Sequence, residues 1–117
     1  MAFGLLACGA HARAWEPAPW TRTDTWWEAS YAAVVAMDYT QSVQIVPSGR
    51  FERNPFLPKH PSNKTFQYVC LGSVLGHVGV SCLLPAKWRR PWQTVTLSLE
   101  VLAVGDNQFL AGLRVKF

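Results

Sequence analysis

Across 117 residues the chain carries only 15% charged residues, against roughly 25% in ordinary soluble domains, together with six tryptophans. That length holds one domain with a modest core. The net charge is +4, but nine of the eleven basic residues scatter among Arg50, Arg53, Lys59 and Lys64, then Lys87, Arg89 and Arg90, then Arg114 and Lys116. This excludes a single nucleic-acid-binding run and suits cations that flank membrane segments.

Residues 2–10 form a short apolar run, and Ala12-Arg13-Ala14 then matches the small-x-small pattern of a signal-peptidase site. The run lacks a basic leading region, as expected if the true start lies upstream and residues 1–14 are the tail of a signal peptide. Residues 15–117 then form a single helical membrane domain that begins at Trp15. Leu5-Leu6-Ala7-Cys8 offers a lipoprotein-like alternative, and a frayed apolar terminus is the plain one. Pro17 and Pro19, between Trp15 and Trp20, exclude regular helix.

Thr23 or Asp24 can cap a first long helix, with Asp24 and Glu28 near its positive end, and Pro47 can stop it. A helix over about 24–46 is roughly 34 Å long, enough to cross a hydrocarbon core. Trp26 and Trp27 would sit at one interface, and Asp38 and Gln41 share a face.

Ser62 opens a second helix, about 62–84, whose only charge is Lys64. Gly72, Gly76 and Gly79 give small-residue spacing that lets helix backbones approach closely in lipid. Ser73, His77 and Ser81 follow at four-residue steps and form a narrow polar stripe. Pro85 to Pro91 reads as a tight basic turn, with Pro91 at the first position of a third helix over about 91–105. Gln93, Thr96, Glu100 and Asn107 make its stripe, and Gly105-Asp106-Asn107 is a candidate break. The tail from Phe109 to Phe117 either continues as helix or runs extended from Leu113. The expected fold class is all-α, a three-helix membrane bundle with a short tail, in the bacterial inner (cytoplasmic) membrane. A soluble three-helix bundle is the alternative, but it needs more charge than the second helix offers.

The residues Asp38-x-x-Gln41, then Gly49-x-x-Glu52-x-Asn54-Pro55-x-Leu57-x-x-His60-Pro61-Ser62, form a pattern of their own. It resembles a family of small, uncharacterised helical membrane proteins encoded by bacteria and their phages, in which Asp-x-x-Gln/Thr near a helix end precedes a Glu-x-Asn-Pro loop. The resemblance covers residues 24 to about 107 and extends to His77, Trp88-Arg89 and Glu100. Where family members often have Gly after the loop Leu, this chain has Pro58. The resemblance implies a helical membrane fold and brings no activity with it.

Asp38, His77 and Glu100 are ionisable residues at membrane depth, where such groups face the bundle interior and pair. With Gln41, Ser73, Thr96 and Asn107 they compose an expected intramembrane polar network that fixes helix register. A sharper reading makes Asp38, His77 and Glu100 ligands of a transition metal, or a proton path, although no ligand doublet supports a metal. In the loop, Asn54 before Pro55 favours a turn and Glu52 can accept from loop amides or pair with Arg50, for a structural loop or one that binds a partner or a lipid headgroup. His60 is expected at the surface. Cys70 and Cys82 are roughly 18 Å apart on one helix, too far for a disulfide, and read as small buried apolar residues.

No Cys-x-x-Cys, phosphate loop, nucleophile elbow or catalytic carboxylate pair occurs. The expected role is therefore a structural or complex-associating membrane protein without a resident cofactor. Its partners would be the lipid bilayer and another copy or a larger membrane complex, not nucleic acid. Metal or proton handling, and a phage lysis or virion membrane component, are the alternatives. Both loops between long helices are basic, so charge alone does not orient the chain.

Overall fold

A computed structural model describes residues 15–48, 55, 57–110 and 112–116. The described residues are helical, without strands: α1 (Arg22–Ser42), a one-turn α2 (Ile45–Ser48), α3 (Asn63–Leu83) and α4 (Ala86–Phe109). The expectation for residues 1–14 lies outside the described residues, as do those for Glu52 and Asn54.

Helix α1 starts earlier than the sequence pattern places it. Thr21 is its N-cap and forms a capping box with Asp24, each side chain accepting from the other's backbone amide. It also ends earlier, at Ser42 rather than 46. Gln44 N donates to Gln41 O, tightening the last turn, while Gln44 Nε2 donates to Thr40 O at 2.7 Å. Pro47 therefore does not stop α1 but lies inside α2. Ser62 caps α3 as expected, accepting from Thr65 N.

Helix α4 begins at Ala86, before Pro91, with Pro85 as its N-cap. Pro91 sits one turn inside, where its missing N–H forfeits one bond to an exposed part of the first turn. The Gly105-Asp106-Asn107 stretch does not break α4, because Asn107 is tied to α1 through Asp38 at 2.8 Å. Gly112, at φ 69°, takes the left-handed conformation that turns the chain back. The tail then runs without helix along the end of α1: Arg114 N donates to Gln44 Oε1, Gln44 Nε2 donates to Arg114 O, and Lys116 N donates to Thr40 Oγ1.

Helix α1 is the central element, packed along both α4 and α3, while α3 and α4 touch each other far less. The pairings of residues 24, 28 and 38 of α1 with 89, 93 and 107 of α4 make those two helices parallel. Glu28 meets Ser81, whereas Ile45 beyond α1 packs with Phe66, so α3 runs antiparallel to α1. The α1 positions 24, 28, 31, 35, 38 and 42 recur at alternating steps of four and three, the spacing of a helix seam.

What occupies that seam is inverted relative to a water-soluble bundle. Among the described residues Asp24, Glu28, Gln41, Ser42, His77, Ser81, Arg89 and Gln93 are buried, against Tyr31, Val35, Ile45, Phe66 and Leu113 as the buried large apolar side chains. Meanwhile Leu71, Leu75 and Leu83 of α3 and Val95, Leu99 and Leu102 of α4 are exposed. Among the described residues α3 is the helix whose length and composition suffice to cross a membrane.

Candidate functional site: a polar axis inside the bundle

The interior polar groups fall into two sets, one at the tryptophan-bearing end of the bundle and one at the far end. At that end Arg89, 3% exposed, uses all five N–H donors of its guanidinium. Nε donates to Ser81 O at 2.7 Å, and Nη1 donates to Pro19 O at 2.9 Å and Asp24 Oδ2 at 3.0 Å. Nη2 donates to Ala18 O at 2.5 Å and Leu84 O at 3.3 Å. One side chain thus ties together the N-terminal segment, the start of α1 and the end of α3. Prolines 17 and 19 keep that segment extended, so its carbonyls are free of helix bonding and can accept. Trp15 Nε1 adds a bond to Leu83 O at 2.9 Å. Asp24 also receives Arg90 Nη2 at 3.2 Å, so the buried carboxylate has two guanidinium partners.

One turn further in, Glu28 receives three donors. Ser81 Oγ at 2.6 Å and Gln93 Nε2 at 2.9 Å donate to Oε1, and His77 Nδ1 donates to Oε2 at 2.6 Å. The hydroxyl of Thr96 is hydrogen-bonded to Trp92 O and to His77 Nε2, each at 2.6 Å. The His77 ring is stacked between Tyr31, 3.8 Å between centroids, and Trp92, 5.1 Å away. Glu28, His77 and Thr96 therefore join α1, α3 and α4 in one buried chain of hydrogen bonds. Its order, carboxylate to imidazole to hydroxyl, matches the order of a nucleophilic triad. Thr96 Oγ1, however, is already committed to a helix carbonyl, and the imidazole is closed on both faces by rings. Its geometry is that of a strut.

The second set surrounds a cavity of about 320 Å³ at the far end. Asp38, Glu100, Asp106 and Asn107 line it with Ser42, Ser73 and Cys70, alongside the apolar Ile45, Leu57 and Phe66. Asn107 Nδ2 donates to Asp38 Oδ1 at 2.8 Å. Gln41 is fully buried nearby, donating from Nε2 to Val104 O at 3.2 Å and Leu113 O at 3.4 Å. A small apolar cluster of Ile45, Phe66 and Leu113, with Tyr39, Val43 and Leu57 against it, closes this end.

The sequence-derived network is thus divided in two. Asp38, Gln41, Ser73, Glu100 and Asn107 collect at the cavity end, whereas His77 and Thr96 belong to the Glu28 strut. Asp38 and Glu100 line a cavity in which His77 has no part, and no group of three His, Cys, Asp or Glu among the described residues is arranged to hold a metal ion. The glycines depart from expectation as well. Gly72, Gly76 and Gly79 are exposed, and a Cβ on any of them would meet nothing within 4 Å, so among the described residues they bring no helices together. Of the loop motif, Pro55 is exposed in a turn and the neighbouring Leu57 is half-buried against the apolar cluster. His60 is exposed. Cys70 is half-buried, but Cys82 is exposed rather than packed inside.

Glu28, Ser81, Arg89 and Gln93 are the residues the expected network lacks. Ser81 and Gln93 already stood on the polar stripes of their helices. Glu28 passes for a helix-dipole residue and Arg89 for a surface cation in a turn, since both lie close to helix ends. No known family model matches the chain, and no characterised protein and no solved structure is significantly similar to it.

Proposed function

We propose that this chain is a small integral membrane protein, a three-span helical bundle of the bacterial inner membrane. Its role is structural or complex-associating, without catalytic machinery. The observation that carries this reading is the inversion of polarity: buried Glu28, His77, Ser81, Arg89 and Gln93 inside, exposed leucine and valine outside. In hydrocarbon, polar side chains turn inward and pair while apolar ones face lipid; in water the same arrangement would leave its leucines unburied. The lengths agree. Helices α1 and α3 have 21 residues and α4 has 24, so each is roughly 31–36 Å long against a hydrocarbon core of about 30 Å.

Helices α1 and α4 have lower mean hydropathy than α3 because they supply most of the interior charge. Asp24 and Glu28 come from α1, and Arg89 and Glu100 from α4. Those charges are compensated within the bundle at the tryptophan end, where Arg89 and Arg90 meet Asp24. The resemblance of the loop motif to small bacterial and phage membrane proteins points the same way. Fractionation followed by carbonate and urea washing tests the reading. The chain is expected to stay with the membrane, and its release into the soluble fraction would overturn the proposal.

A further inference from the structure

All six tryptophans occupy one end of the bundle. Trp15 and Trp20 precede α1, Trp26 and Trp27 lie in its first two turns, and Trp88 and Trp92 lie in the first two turns of α4. Trp15, Trp26 and Trp88 are more than half exposed. The same end carries Arg22, Lys87, Arg89 and Arg90, against the carboxylates of Glu16 and Asp24. Three of the cations lie over indole faces: Lys87 on Trp88 at 5.8 Å, Arg89 on Trp20 at 5.4 Å and Arg90 on Trp27 at 5.2 Å.

The cations differ in what the bundle leaves free. Arg89 is spent entirely on internal acceptors. Arg90 bonds Gln93 and Asp24 yet keeps its side chain 40% exposed, and Arg22 and Lys87 are exposed. A cleft of about 130 Å³ opens beside Arg90, lined by Pro19, Thr21, Asp24, Ala86 and Arg89 as well, whereas Arg22 and Lys87 stand outside it. Asp24 within it is neutralised by the two arginines. At its edge α4 begins on Pro85 without a side-chain cap, and the amides of Trp88 and Arg89 donate to Pro85 O.

From this arrangement we infer that the tryptophan end docks the phosphodiester headgroups of anionic phospholipids. Exposed indoles fix the depth of the rim at the headgroup level, and Arg22, Lys87 and Arg90 meet the phosphates there. The inference rests on the membrane reading and adds lipid selectivity confined to one end. Each exposed cation near such a surface contributes roughly a fivefold preference.

The test uses the full chain in nanodiscs of phosphatidylcholine with and without phosphatidylglycerol, with co-purified lipid counted by mass spectrometry. Wild type should retain phosphatidylglycerol preferentially. The double variant Arg22→Gln/Lys87→Gln, which touches only exposed side chains, should lose that preference by roughly an order of magnitude. The matched variant Lys64→Gln/Lys116→Gln at the opposite end should keep it. Equal retention of both lipids by wild type, or equal loss in the two variants, overturns the inference. Carbonate extraction of the same proteins separates the two levels: release of wild type sinks the membrane reading itself, whereas retention without anionic preference sinks only the lipid selectivity.

Discussion

The two ends of the bundle are built on different principles. At the tryptophan end the space between helices is filled by charged and polar side chains whose hydrogen bonds are nearly all spoken for: five donated by Arg89, three accepted by Glu28, both nitrogens of His77 engaged. At the far end a cavity of about 320 Å³ is lined by Asp38, Glu100 and Asp106 beside a small cluster of Ile45, Phe66 and Leu113. A satisfied polar network admits one helix arrangement, because shifting any member strands a buried group. A cavity bordered by a few apolar contacts admits adjustment. The tryptophan end therefore sets the register of all three long helices, and the far end follows it.

The largest test of this contrast is Arg89→Ala. It removes a guanidinium that bonds Pro19, Ala18, Leu84 and Ser81 carbonyls and leaves buried Asp24 with the partly exposed Arg90. Breaking a buried ion pair on one side typically costs about 3–5 kcal/mol. Thermal unfolding of the detergent-solubilised protein should show a loss in that range, with the segment carrying Trp15 and Trp20 released to protease. Arg89→Lys should recover little of it, since one ammonium cannot reproduce a planar fork of five donors. A loss below about 1 kcal/mol would mean that the register is set elsewhere.

Next in size is the strut. Glu28→Ala strands Ser81, Gln93 and His77 at once, and His77→Ala empties the slot between Tyr31 and Trp92. Each should cost about 1.5–3 kcal/mol, the range for hydrogen bonds to charged groups. The double variant should cost clearly less than the sum, because both changes delete one shared interaction. Strict additivity in the unfolding measurement would show that the two residues do not act through each other.

At the cavity end the same kind of change should matter far less. Glu100→Gln keeps size and removes a carboxylate that lines the cavity and forms no hydrogen bond among the described residues. Its effect on unfolding should stay within about 1 kcal/mol of wild type. A loss as large as that of Glu28→Ala would erase the distinction between the two ends.

How far the sequence carried this picture differs between the ends in the same way. The helical class, the Ser62 cap, the polar stripes through His77 and Thr96 and the extended alternative for the tail are legible from spacing, because helix periodicity assigns residues to faces. Arg89 is not. Its acceptors are the carbonyls of Ala18 and Pro19, some seventy positions away, and no pattern along α4 announces that an extended segment will fold over its start. Glu28 hides for a related reason: from a helix start placed at about residue 24 it falls near the first turn, where the macrodipole alone would explain a carboxylate. Helix ends moved through side-chain bonds of a similar kind, Gln44 onto Thr40 and Asn107 onto Asp38.

The smallest expected effect concerns the face that neither end uses. Gly72, Gly76 and Gly79 lie exposed on α3 with open space where a Cβ would stand. Gly76→Leu should therefore leave the unfolding of the chain within about 1 kcal/mol of wild type, or raise it slightly through helix propensity. Close approach of backbones at such spacing is a device for joining helices in lipid, and here any helix it joins must come from outside the described residues. A complex-associating role using this face predicts that Gly76→Leu shifts the sedimentation of the detergent-solubilised protein to a smaller species while thermal stability holds. Destabilisation of the monomer beyond about 2 kcal/mol would place these glycines inside the bundle after all, and would turn α3 around relative to the strut that His77 and Ser81 make with Glu28.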